Sequence, residues 1–167
     1  MVWGILAKRG LPFPMFRLDK GGLLEIERFK QSGNGVLFAS GALWEGIDIP
    51  GDALSMLIIV KLPFAAPDPI GEYEMTLYGS MVEYKRLVVV PEMLIKLKQG
   101  FGRLIRTVDD SGVVAILDSR VRDNAPYRDI VLDALPYVWV TDNPKDVEKL
   151  YVNMKEPEYF EPADIVA

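Results

Sequence analysis

Short, continuous apolar runs alternate with stretches of helical period along most of this chain. Residues 36–39 and 57–62 are two such runs, the second opening from an apolar stretch that begins at residue 54, and residues 113–117 form a third. Each has strand length, is rich in Val, Ile and Leu, and is apolar at consecutive positions, the pattern of a strand buried on both faces of a parallel sheet. Residues 15–18 and 138–140 read as two further short strands. Helices are predicted over 2–8, 23–31, 71–85, 87–106, 127–135 and 144–154. Gly10 and Pro12 stop the first, Gly21 and Gly22 introduce the second, and Thr141, Asp142 or Asn143 caps the last. Leu23, Leu24, Ile26 and Phe29 are available for burial from the second helix. Strands alternating with helices predict an α/β fold on a doubly wound, mainly parallel sheet with helices on both faces. Ligands of such sheets bind at the carboxyl ends of the strands.

The helix over 71–85 carries Tyr73, Leu77, Met81 and Tyr84 at helical spacing. That stripe is expected to face the core, with base stacking by Tyr73, Tyr78 or Tyr84 as the alternative. The helix over 87–106 is more pointed. At about 100° per residue, Gln99, Arg103 and Arg106 fall within roughly 60° of one another. Leu94, Leu97, Phe101, Leu104 and Ile105 fall on the opposite side, so the helix can bury one face and hold two guanidinium groups and an amide outward. A planar, permanently charged, bidentate group on a rigid element suits phosphate recognition better than lysine does. An amphipathic helix with solvated arginines is the plain alternative.

Composition narrows the chemistry. The 167 residues suit one domain, expected over 1–154, with 155–167 as a loosely packed, acidic, proline-bearing tail. There is no cysteine and no histidine, which excludes disulfides and thiolate metal sites here and removes imidazole as base or ligand. No apolar run approaches the roughly 18 to 20 residues that cross a bilayer, and no signal-peptide pattern opens the chain. No membrane role is expected, and the reading is a cytoplasmic protein. The formal net charge of −5 speaks against a dedicated nucleic-acid-binding domain. Lys96, Lys98, Arg103 and Arg106 nevertheless form a local basic excess.

Upstream of that helix, the turn-rich segment between two predicted strands reads WEGIDIPG at residues 44–51. Together with QGFGRLIR at 99–106, it resembles motifs V and VI of the superfamily 2 helicases, in the form found in the DinG branch related to XPD. The motifs stand in the family's order and approximate separation, and the resemblance runs from about Leu11 to Leu135 and Pro136. A lone GxxGR would carry little; the pair is specific. The resemblance implies the second, C-terminal RecA-like motor domain of an ATP-dependent DNA helicase. In the intact enzyme, that domain would help couple ATP hydrolysis to five-prime to three-prime movement on single-stranded DNA, with a place in DNA repair.

By this resemblance Arg103 and Arg106 are catalytic arginines that reach the γ-phosphate of ATP held by the first motor domain, and Gln99 orients the nucleotide or its water. Glu45, Gly46 and Asp48 would belong to the nucleotide site and couple it to the bound strand. The plain readings of Gly46 and Asp48 are a turn glycine and a turn or capping carboxylate. Ser40, Gly41 and Lys61 lie where a nucleic-acid backbone could pass, offering a hydroxyl, a peptide N–H and a charge to phosphate oxygens.

The chain has no GxxxxGK[ST] and no DEAH-like box. ATP and Mg²⁺ would therefore be held mainly by the missing first domain, and these residues alone are expected not to hydrolyse ATP. The fold is expected to be truncated before the family's motif IV strand, which would leave strand edges open and favour self-association of the isolated piece. The alternative function is a non-catalytic nucleic-acid or partner-binding module with the same fold.

Overall fold

The computed structural model describes residues 2–18, 22–40, 49, 54–66, 68–105, 111–137 and 139–157. In chain order its elements are α1 (Val2–Arg9), β1 (Met15–Arg17), α2 (Leu23–Ser32), β2 (Val36–Phe38), β3 (Met56–Ile59), α3 (Pro69–Leu77), α4 (Met81–Tyr84), a π-helical segment (Lys85–Val89), α5 (Val90–Leu104), β4 (Val113–Ile116), a 3₁₀ turn (Ser119–Val121), α6 (Arg128–Ala134) and α7 (Pro144–Met154). They belong to two compact units, Met1–Ala53 with Val138–Ala167, and Leu54–Tyr137.

In the first unit β1 and β2 pair in parallel, Met15 beside Val36, Phe16 beside Leu37 and Arg17 beside Phe38. The connection between them is α2, which packs on both strands. Ile26 and Phe29, three residues apart and so on one helix face, are its buried residues, and Phe29 meets Phe16 edge-to-face with ring centroids 6.2 Å apart. Leu23 and Leu24 were expected to share that burial. They are 75% and 63% exposed: both stand in the opening turn, and Leu24 is also about 160° around the helix from Ile26. Gly33 ends α2 in the left-handed conformation at φ 69°, and Gly35 then passes so close that a Cβ would stand 2.7 Å from the Phe16 ring. The strand expected at 138–140 is not found at Trp139 or Val140, which lie outside any strand, and Val138 is outside the described residues.

In the second unit β3 and β4 pair in parallel, from Met56 beside Val113 to Ile59 beside Ile116. The core consists of Ile59, Leu62, Met93, Leu97, Leu104 and Val131, with α5 packed on β3 and α6. β3 is not apolar on two covered faces as its run predicts. Ile59 is buried under the helices, while Ile58 and Val60 on the other face are 51% and 46% exposed. The strand also stops at Ile59 instead of residue 62, because the Leu62 N–H bonds to the Asp118 carboxylate and leaves the ladder.

The helical boundaries expected at 71–85 and 87–106 shift. α3 ends at Leu77, Tyr78 is extended, and after Gly79 the Ser80 hydroxyl accepts the N–H of Glu83 to start a new helix. Ser80-x-x-Glu83 has the spacing of a capping box, a start signal that outweighs the apolar spacing running across it. From Met81 the backbone stays helical to Leu104 by way of the π segment, in which Val90 N–H bonds to the Lys85 carbonyl. Pro91 lacks an N–H and would press on the carbonyl four residues back; one wider turn before it removes that conflict. α5 then ends at Leu104, with Ile105 extended at φ −114° and ψ 108°.

Candidate functional site

The basic end of α5 is built by what α5 buries. Met93 and Leu97 are fully buried, Leu104 is 5% exposed and Gly100 is buried with them. This face is turned toward Met93 and Gly100 relative to the expected one: Phe101 and Leu94 are only half-buried. Gln99, on the far side, is exposed, and Arg103 flanks the buried face, half-buried with its Nε enclosed. The two sit one turn apart on one stripe, as the spacing predicts. Between them in sequence, Gly102 is exposed, and among the described residues beyond its chain neighbours a Cβ placed there would meet nothing within 4 Å. Arg106 was expected to complete the stripe. The helix ends two residues before it, and Arg106 lies outside the described residues.

α5 runs back along the sheet, so its end lies by the strand beginnings. A Cβ on Gly112, just before β4, would stand 2.7 Å from the Ser55 carbonyl, just before β3, and 2.8 Å from Leu104 Cδ1. Arg103 is adjacent to Leu104 and so belongs to the amino end of the β3–β4 pair, not to the carboxyl end at which ligands of such a sheet are expected, because the helix that carries it runs antiparallel to the strands.

The carboxyl end of the same pair holds a second group of charges. Asp118, two residues past β4, is 8% exposed and is the buried charged residue of the described set. Its carboxylate accepts the Leu62 N–H at 2.9 Å, the Arg120 N–H at 3.0 Å, and the Arg120 guanidinium through Nε at 2.9 Å and Nη2 at 2.6 Å. The Arg120 guanidinium beside it, together with those two backbone N–H groups, holds the carboxyl far below the usual carboxylate range despite its burial, and Asp118 in turn raises the pKa of Arg120. Arg120 also lies over the Phe64 ring at 4.6 Å, and Phe64 meets Tyr127 edge-to-face at 5.3 Å. The DSR run at residues 118–120, directly after an apolar strand, is the sequence signal that places Asp118 and Arg120 at the sheet's carboxyl edge; it carries no sign of their mutual clamp. Lys61, exposed two residues past β3, stands on this edge too.

The described residues thus bring Gln99 and Arg103 together at one end of the second unit and set Lys61 at the other. Ser40, exposed beyond β2, belongs to the first unit. Gly41, Glu45, Gly46 and Asp48 lie outside the described residues. Among the described residues no group of acidic side chains stands together so as to hold a metal ion, and no helix is long and apolar enough to cross a membrane.

The helicase C-terminal domain family matches residues 12–138. The chain belongs to that family. It is 46% identical over 111 residues to the ATP-dependent DNA helicase YoaA of Haemophilus influenzae, covering 62% of this chain and 16% of that protein. Over 126 residues it is 42% identical to the YoaA helicase of Escherichia coli, covering 71% and 18%. Over 135 residues it is 35% identical to the 3'-5' exonuclease DinG of Bacillus subtilis, covering 76% and 14%. The domain is therefore a DinG-like superfamily 2 helicase C-terminal domain with an α/β fold and parallel sheets, and it spans less than a fifth of the length of these relatives.

Proposed function

We propose that this helicase C-terminal domain is the second RecA-like motor domain of an ATP-dependent DNA helicase, supplying the arginine side of an ATP site whose other side lies in a first motor domain. On this reading residues 1–154 form the motor domain, on a doubly wound sheet, and 155–167 its tail. The observation that carries the proposal is the Gln99–Arg103 stripe: a helix fixed by its buried Met93, Leu97, Gly100 and Leu104 holds these two side chains one turn apart, next to an exposed Gly102 where, among the described residues beyond its chain neighbours, nothing stands within 4 Å of a Cβ.

Phosphoryl transfer asks a protein chiefly for positioning and neutralisation of charge, and an arginine offered across a cleft contributes a factor of roughly 10³ to 10⁵. Arg103 and Arg106 supply that charge to phosphate oxygens, and Gln99 orients the nucleotide or its water. Glu45, Gly46 and Asp48 couple the site to the bound strand. Ser40, Gly41 and Lys61 touch the backbone of single-stranded DNA. Arg103 and Lys61 stand at opposite ends of a strand pair four residues long, so nucleotide and nucleic acid meet different edges about 10 to 13 Å apart. Mg²⁺ and most contacts to ATP belong to the first motor domain, and the reaction takes place in the cytoplasm.

The purified 167-residue chain is expected to show no DNA-stimulated ATP hydrolysis, since it holds one side of a two-sided site. Hydrolysis by this chain that disappears with Arg103→Ala would show a complete site within it and overturn the proposal.

A further inference from the structure

Helix α3 exposes the stripe that its spacing assigns to the core. Ile70 is 72%, Tyr73 67% and Leu77 68% exposed. At about 100° per residue the three fall within roughly 60° of one another. No residue of α3 is buried. The helix is nonetheless held in place. Asp68 caps it, accepting the N–H groups of Ile70 and Gly71 at 2.9 and 3.0 Å. The Tyr84 hydroxyl stands against Gly71, 3.2 Å from where a Cβ would be, and Tyr78, just past the helix end, packs on the Tyr84 ring with centroids 5.4 Å apart. The Gly71 side is thus the attached side, and the apolar stripe, well over 90° around the helix from it, faces away.

The charge around the stripe selects what can cover it. α3 carries Glu72 and Glu74 and no basic residue, and its cap is Asp68. Burial, reinforced by the negative charges of Glu74, Glu92 and Asp68, raises the pKa of the Tyr84 phenol, which registers the same acidic field. A nucleic-acid strand stacking on Tyr73 would bring its phosphates against these carboxylates, and a second copy of α3 would bring identical ones. An apolar groove rimmed by lysine or arginine matches both the stripe and its flanks.

Area selects between a separate molecule and the same one. Three side chains of this kind expose on the order of 400 Å² together, about half of the roughly 800 Å² per partner that a stable complex of free molecules buries. A contact of that size holds between parts of one polypeptide, where high effective concentration makes up for limited area. More than four fifths of each relative's length lies outside the matched segment.

We propose that α3 docks through Ile70, Tyr73 and Leu77 into a basic-rimmed apolar groove elsewhere in the same helicase polypeptide. This rests on reading the chain as one part of a longer helicase, but its test involves neither ATP nor the arginines, so the two readings fail separately.

Hydroxyl-radical footprinting read by mass spectrometry measures the oxidation of Tyr73 in the intact helicase, free of DNA and nucleotide, against the 167-residue chain. The expected result is oxidation about fivefold or more slower in the intact protein, as a desolvated interface centre requires. Leu77→Lys, a change at an exposed position that the fold tolerates, should restore the rate. Equal rates in the two proteins overturn the proposal. Protection that appears only with single-stranded DNA overturns it in favour of base stacking, and protection within the 167-residue chain that grows with concentration overturns it in favour of a second copy.

Discussion

The Asp118 carboxylate accepts the Leu62 N–H at 2.9 Å across 56 positions of sequence, so one side chain ties the exit of β3 to the exit of β4. The same carboxylate grips Arg120 through Nε and Nη2, and Arg120 in turn covers Phe64. Two loops at the sheet's carboxyl edge are therefore set by a single buried charge. Lys61, next to Leu62, takes its position from this clamp.

Asp118→Asn should cost about 2 to 4 kcal/mol at neutral pH, because it removes the charge that satisfies Arg120 and weakens acceptance of two backbone N–H groups. The pH dependence has a definite sign. With the folded-state pKa far below the unfolded value of about 3.9, the stabilisation is full above that value and is lost as pH falls through the folded-state pKa. Urea melts at pH 7 and across the acid range should show the native chain losing stability below about pH 4, with Asp118→Asn less stable at pH 7 and flatter in acid.

Gly112→Ala should destabilise the chain by about 1 to 3 kcal/mol, since its Cβ meets a backbone carbonyl and the Leu104 side chain at under 3 Å and neither can move without disturbing the start of β3 or the end of α5. Thermal melting checks it, and an unchanged midpoint would contradict a close-packed amino edge of the sheet.

Gly102→Ala separates stability from activity. Glycine within a helix costs roughly 0.5 to 1 kcal/mol relative to alanine, and among the described residues beyond its chain neighbours nothing stands within 4 Å of a Cβ here. The isolated chain should melt at a slightly higher temperature with alanine, while ATP turnover of the intact helicase should fall, because on the proposed function the nucleotide or the first motor domain approaches next to Arg103.

How legible this was in the sequence varied with the range of the interactions involved. Strands β1 to β4 and helices α1, α2, α6 and α7 follow runs and caps within a few residues of themselves, and all lie close to where the pattern put them. The break between α3 and α4 was written at Ser80 and Glu83, but the apolar spacing from Tyr73 to Tyr84 runs through it and masks it. Tyr73 and Leu77 are apolar and periodic yet exposed, and periodicity cannot tell a face buried in this domain from one buried elsewhere. The Gln99–Arg103 pair came directly from a helical wheel, since both residues lie on one element. The clamp from Asp118 to Leu62 joins two strand exits, which only the parallel pairing of β3 and β4 brings together.

The central claim is that Arg103 acts on charge developing during hydrolysis and not on the resting nucleotide. The most direct measurement is the steady-state ATPase of the intact helicase carrying Arg103→Ala, with nucleotide affinity and single-stranded DNA affinity measured on the same protein. The predicted result is a fall in kcat of about 10³-fold or more, with ATP affinity and DNA binding nearly unchanged, because an interaction confined to the transition state is lost from turnover alone. Unchanged kcat, or nucleotide affinity falling in step with turnover, would contradict it.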